Sequence, residues 1–411
     1  MKRSSIGDKW LLVAGCFLVT LCHGEVMMSF GVFFKAFEVD FGWSRGAISS
    51  VYTFLTCALA VSAIVAGKYS DRNHARLVLL ASAVVGSTAI VFCGEIQSLN
   101  QLRGVVIGAG LGAGAAVPVP ASIVQRTFRN QSHSGLALSV VSAGVGAGGF
   151  ISAPVLNHII LHFGWRTAFL VAGVLFGVLI ITGTALIARA GGFRFLRCEC
   201  LTRPSEQVPR QSPTRLVVLS RGYLAVLLVN VLGLIAITVV NAHLIPLATD
   251  RGISLTTAAL ALSLVSGMSV LGRLGCGLIS DAIGWRSTLA VAISGGGIAV
   301  MLLPWAGQAW VVFLLVVVFG VCHGARAVAA LGMVGTMFGM RAVGELLGLM
   351  VSVSLLAGSI GPYVAGMVYD YTNSYHIVLA ILGLALISSG VAAARLLASA
   401  PAHADNRSGT A

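Results

Sequence analysis

Two arginines, Arg273 and Arg326, lie deep inside long apolar runs, as do Glu25, His23, His243 and His323. A charge near the centre of a bilayer costs at least ~2.5–3.5 kcal/mol on insertion scales, so such a residue normally faces a cavity or a partner. A guanidinium is a planar fork of donors that matches a carboxylate bidentately. Glu25, near the middle of the first run with His23 close by, is the best candidate for a proton-handling group. A neutral, hydrogen-bonded structural Glu is an equal reading of the same position. His243, Asn230 and Asn241 in the seventh run, and His323 in the tenth, are candidate cavity-lining groups. A lone helical histidine is more often a packed residue.

The elements that hold these residues follow from composition. Hydrophobic residues make up 57% of the chain and charged residues 9%, and mean hydropathy is +0.95. A soluble surface needs far more charge than this. Apolar stretches of about 20 residues cross a ~30 Å hydrocarbon core as helices. Roughly twelve such stretches run from about residue 10 to residue 399. The fold class is therefore all-α, an integral membrane protein of twelve transmembrane helices in two pseudo-symmetric six-helix bundles. The expected organisation is 1–188 for the first bundle, 189–219 for a linker rich in Arg, Pro, Ser and Gln, 220–399 for the second bundle, and 400–411 for a disordered tail.

The net charge of +13 is topological. Lys68, Arg72, Arg76, Arg126, Arg129, Arg286, Arg341 and Arg395 fall on one side with both termini and the linker; Lys35, Arg45, Arg166 and Arg251 fall on the other. The positive-inside rule puts the first side in the cytoplasm. Anionic membrane lipid is then the partner of the basic residues, and nucleic acid is not expected. No metal constellation stands out, and Cys198 and Cys200 lack a second pair to complete a site. The stretch Gly144-Val145-Gly146-Ala147-Gly148-Gly149 superficially suggests a nucleotide loop, but it lies inside a transmembrane run without the required strand. No cofactor is expected, and nothing argues for an enzyme.

The two halves repeat each other. Gly67, Asp71 and Arg76 recur as Gly277, Asp281 and Arg286, and Asp40, Gly42 and Ser44 recur as Asp250, Gly252 and Ser254, all at one common offset. With so few charged residues, matched charges at one offset are unlikely to be chance. The loop Gly67-Lys68-Tyr69-Ser70-Asp71-Arg72, ending at Arg76, and its counterpart Gly277 to Arg286 resemble the loop signature of the major facilitator superfamily. Glycine permits close helix approach, and the Asp can cap a neighbouring helix N-terminus. These loop residues are read as conformational gates.

Phe41-Gly42-Trp43-Ser44-Arg45, Gly164-Trp165-Arg166, His243-Leu244-Ile245-Pro246, Gly272-Arg273, Phe338-Gly339, Gly361-Pro362 and Asp370 narrow the resemblance to the bacterial monocarboxylate-porter branch. The chain departs from the animal transporters of that family. Met28 aligns with their first-helix lysine, and Ser269 with the Asp that partners the eighth-helix arginine. Their proton-handling parts therefore do not transfer residue by residue.

The resemblance implies a secondary transporter in the plasma membrane, the bacterial inner membrane, working by alternating access. It implies a small organic anion as substrate, a monocarboxylate, with a proton as coupling ion. It assigns the carboxylate contact to Arg273, whose alternative is snorkelling to the interface. Arg326 is a second contact or a structural pair; facing the cavity, it would favour a dianion. Arg103 resembles the superfamily's fourth-helix arginine, a proton-coupling candidate, or is an extracellular cap. The rival functions are a carrier of another substrate, such as an effluxed drug or a dicarboxylate, and a non-transporting membrane sensor.

Overall fold

The computed structural model describes residues 6–43, 45–129, 131, 133–193, 217–338 and 342–398. The central part of the linker with Cys198 and Cys200, the tail, Ser44, Gly339 and Arg341 lie outside the described residues, as do the side chains of Met28 and Asp370. Ten described helical runs are long and apolar enough to cross a membrane. Two of them contain non-helical backbone, one at Arg72 and Asn73 and one at Gly164. Division at these breaks yields the twelve segments expected from hydropathy.

In chain order these are α1 (Ile6–Phe41), α2 (Arg45–Tyr69), α3 (Ala75–Phe92), α4 (Leu99–Thr127), α5 (134–163) and α6 (165–189). The second six are α7 (Arg221–Thr249), α8 (Leu255–Ile283), α9 (Trp285–Leu302), α10 (Ala309–Phe338), α11 (Val343–Thr372) and α12 (His376–Ala398). Exposed Val84, Leu161, Val291 and Leu314 give the outer surface its apolar character, as lipid contact requires.

The turns explain several of the landmark residues. Gly164 has φ 82 and ψ 160, and Gly284 has φ 83 and ψ 154. Only glycine enters that region without strain, and in both places Trp-Arg follows and opens the next helix. Gly42 and Gly252 also have positive φ. Asp40 accepts from Trp165 Nε1 at 2.6 Å, and Asp250 accepts from Tyr369 O–H at 3.2 Å. Each aspartate thus ties the end of its bundle's first helix to another helix of that bundle. Ser254 caps α8 by accepting from Thr257 N–H, satisfying a free donor of its first turn.

The bundles meet through α2 against α11 and α5 against α8. Small residues make this approach possible: a Cβ on Gly67 would strike Gly344 O, and one on Gly348 would strike Ala63 O. Ser352 Oγ donates to Ala60 O in the same seam.

Candidate functional site

A cavity of about 140 Å³ lies between the bundles, lined from both. Its polar groups are Thr20 and His23 of α1, Ser142 of α5, Asn230 of α7, Arg273 of α8, His323 and Arg326 of α10, and Ser354 of α11. Val117, Leu138, Val145, Leu234, Leu331 and Met350 supply apolar wall. No Asp or Glu is among the described lining residues.

Arg273 is 8% exposed and Arg326 3%. Arg273 Nη1 donates across the bundle interface to Ser142 Oγ at 2.7 Å and to Ser142 O at 3.3 Å. Arg326 Nη1 donates to Asn230 Oδ1 at 2.5 Å and to Asn230 O at 3.3 Å. Asn230 Nδ2 donates in turn to Ser354 Oγ at 2.8 Å, which fixes the amide's orientation. Both guanidiniums keep a buried Nε–H with no acceptor. Their hydrogen-bond partners are all neutral groups. The arginine expected on α8 and the one expected on α10 therefore share one cavity. Helical spacing accounts for His323 beside Arg326, since residues three apart lie on one face.

His23 and Glu25 do not act as a neighbouring pair. Residues two apart on a helix point to different faces. His23 faces the central cavity, whereas Glu25 lines a separate pocket of about 50 Å³ within the first bundle. Val26, Phe33, Leu55, Ile90, Val106 and Phe169 line the same pocket. Glu25 is 5% exposed, and its Oε2 has no hydrogen-bond partner.

Three further candidates lie outside the central cavity. His243 is 13 residues beyond Asn230, a turn of about 220° at 3.6 residues per turn, so it faces away from the cavity. Its Nε2 is 3.0 Å from Pro362 O and its Nδ1 is 3.2 Å from Tyr375 Oη. Because a carbonyl only accepts, Nε2–H donates to Pro362 and Nδ1 accepts from the tyrosine. Pro362 lacks the N–H that would reach the carbonyl four residues earlier, and Thr238 Oγ1 donates to that Gly358 O at 2.8 Å. His243 and Thr238 thus stitch α7 to α11. Asn241 shares Asn230's face but lies about three turns further along, and it does not line the cavity. Arg103 donates from Nε and Nη2 to Ser50 Oγ at 3.0 and 2.8 Å, and from Nη1 to Asn100 Oδ1 at 3.1 Å. It ties the first turn of α4 to the start of α2, the capping alternative.

The matched loop aspartates cap helices across the bundle interface. Asp71 accepts from Gly344 N–H at 3.0 Å and Glu345 N–H at 2.8 Å, the first turn of α11. Asp281 accepts from Gly135 N–H of α5 at 3.1 Å. An acceptor at a helix N-terminus satisfies free donors and meets the positive end of the dipole. Gly67 and Gly277 lie one turn earlier, where the helices touch. Arg72 and Arg76 are exposed and Arg286 half-buried; none of the three partners a loop aspartate. Arg126 of α4 does so instead, forming an ion pair with Asp71. The matched position in the second half is Thr336, so the two locks are unequal.

Arg126, Ser142 and Ser354 were not singled out as functional by type or spacing. Two are serines among many, and Arg126 read as one basic loop residue of several. Subtracting the repeat offset from Thr336 would have marked Arg126 as a residue the second half lacks.

A family model described as Major Facilitator Superfamily matches residues 16–312 and 226–411. The chain belongs to the major facilitator superfamily. This facilitator is a multi-pass membrane protein and a secondary transporter rather than an enzyme. It is 23% identical over 412 residues to human monocarboxylate transporter 12, covering 94% of this chain and 80% of that one. It is 26% identical over 330 residues to a gallate transporter of Pseudomonas putida, covering 74% and 72% of the two chains. The solved structure of the proton:xylose symporter XylE, with bound 6-bromo-6-deoxy-D-glucose, superposes with a TM-score of 0.75 at 14% identity over 96% of each chain. At that identity the likeness speaks for the fold.

Proposed function

We propose that this facilitator carries a small organic anion, bound through a carboxylate, across the bacterial inner membrane together with a proton. The observation that carries the reading is Arg273. It is a buried cation in the interbundle cavity, held by a neutral serine and without an acidic partner. A carboxylate in the cavity would compensate that charge through a bidentate contact. The relatives named as monocarboxylate and gallate transporters support the same class of substrate. A ring-sized acid suits the volume, because an apolar cavity of about 150 Å³ holds benzene.

Alternating access follows from the locks. The α2–α11 and α5–α8 seams close the face that carries the basic loops, and their release lets one bundle rock against the other. Proton coupling is the reading of Glu25, supported by a carboxyl set among apolar side chains. The boundaries of the bundles at 1–188 and 220–399 and the cytoplasmic placement of both termini belong to this proposal.

The test is uptake of gallate into proteoliposomes holding the purified chain, with and without an imposed pH gradient. Uptake that rises with outside acid and is lost in Arg273→Ala is expected. Uptake indifferent to Arg273→Ala rejects the anion site, and uptake indifferent to the gradient rejects proton symport. Binding of gallate without any flux would identify a sensor.

A further inference from the structure

The names of the relatives speak for one carboxylate, whereas the cavity holds two guanidiniums bonded only to neutral groups. We propose that the preferred substrate is a dianion, a small dicarboxylate whose second acidic group sits on Arg326, His323 and Asn230. The inference rests on the reading of Arg273 as the anchor of the first carboxylate.

Arg326 is more deeply buried than Arg273. Its fork is already oriented: the Asn230 amide takes Nη1, and Ser354 holds that amide. A Cβ on Gly233 would strike the Arg326 side chain, so the glycine on α7 leaves room for the guanidinium to lie there. Ser354 and Asn230 are neutral, so this scaffold positions the charge without cancelling it. The buried Nε–H of Arg326 and the buried Nδ1 of His323 have no partner. A buried charge without compensation is costly, and an unpaired buried donor adds to that cost.

A monoanion would compensate only one of the two cations. Hydroxyl groups on a ring could satisfy the open hydrogen bonds but would leave the second charge standing. A second carboxylate does both, and a cavity of about 140 Å³ keeps the two arginines within reach of one small molecule. Arg326 is thus the specificity-determining residue, distinguishing diacids from monoacids.

The experiment compares binding of benzoate, isophthalate and gallate to the purified full-length chain by calorimetry, with Arg273→Ala and Arg326→Gln alongside. The first two probes share a ring and differ by one carboxylate. We expect isophthalate to bind at least about tenfold more tightly than benzoate, the contribution of one charge-assisted contact. Arg326→Gln should abolish that preference, leaving isophthalate and benzoate with equal affinity. Equal affinity of wild type for benzoate and isophthalate, or tighter binding of gallate than of isophthalate, overturns the dianion site while leaving the Arg273 anchor intact. Loss of the anchor itself would show as benzoate binding unchanged in Arg273→Ala. The wild-type comparison decides the matter even where Arg326→Gln does not fold, and Arg326→Lys, which keeps the charge but loses the fork, should retain part of the preference.

Discussion

Arg273 of α8 donates to Ser142 of α5 at 2.7 Å, so the arginine proposed to hold substrate is also a contact between the two bundles. Its hydrogen bond to a neutral serine is a placeholder that a carboxylate can displace. Substrate arrival would then exchange an interbundle contact for a substrate contact, coupling occupancy to the seam between α5 and α8. A ligand shifts a conformational equilibrium only through such differential contacts.

Ser142→Ala tests this exchange. It removes the side-chain acceptor and leaves only the 3.3 Å contact to the backbone carbonyl. Carboxylate affinity should rise by a few-fold, because Arg273 no longer gives up a good hydrogen bond on binding. Arg273→Lys and Arg273→Ala should both lose most transport, since Lys keeps the charge without the fork. Binding titrations on the three variants check the ordering; weaker binding in Ser142→Ala would contradict it.

The two loop aspartates should differ. Asp71 accepts two backbone N–H groups and pairs with Arg126, whereas Asp281 accepts one. Asn retains an acceptor for an N–H but cannot compensate a guanidinium. Asp71→Asn should therefore weaken its lock by about 1.5–3 kcal/mol, roughly ten- to hundredfold in the closed-to-open ratio. Asp281→Asn should change it little. Arg126→Ala should resemble Asp71→Asn. Transport rates and the thiol accessibility of a cavity cysteine report the difference, and substrate affinity should stay within a few-fold in all three.

Glu25 faces its own pocket, apart from the cavity that holds Arg273. Glu25→Gln should leave carboxylate affinity within a few-fold of wild type while abolishing the response of uptake to a pH gradient. A normal pH response in Glu25→Gln would remove Glu25 as the proton carrier and turn attention to His23 and His323, which line the central cavity.

His243 and Arg103 should act on stability. His243→Ala removes the link to Pro362 and Tyr375, and about 1 kcal/mol for each lost hydrogen bond is expected. Thermal unfolding in detergent should shift down while substrate affinity holds. A large loss of affinity with an unchanged unfolding temperature would place His243 in the binding path.

Orientation is open to a direct measurement. In a cysteine-free background, Ser205→Cys in the central linker and Gln308→Cys before α10 should label oppositely with a membrane-impermeant thiol reagent. Labelling of position 308 and protection of position 205 in intact cells is the expected result, from the distribution of Lys and Arg.

The twelve helices, the two-fold repeat and the facilitator loops were legible in the chain itself, because they rest on local quantities. Hydropathy over a window sets a span, and a charged residue in an apolar run is conspicuous wherever it folds. The single-residue breaks at Gly164 and Gly284 were likewise marked by glycine before Trp-Arg. What the chain could not disclose is which face of each helix meets which neighbour. That decided that Arg273 and Arg326 share a cavity, that His23 faces it while Glu25 does not, and that His243 turns towards Pro362 of α11 and Tyr375. Helix rotation depends on packing against helices up to 292 residues away in the chain, where a Gly such as Gly67 or a Pro such as Pro362 sets the approach. The partners of the buried charges, Ser142 for Arg273, Asn230 for Arg326 and Arg126 for Asp71, are fixed by that packing, and only the assembled bundles bring them together.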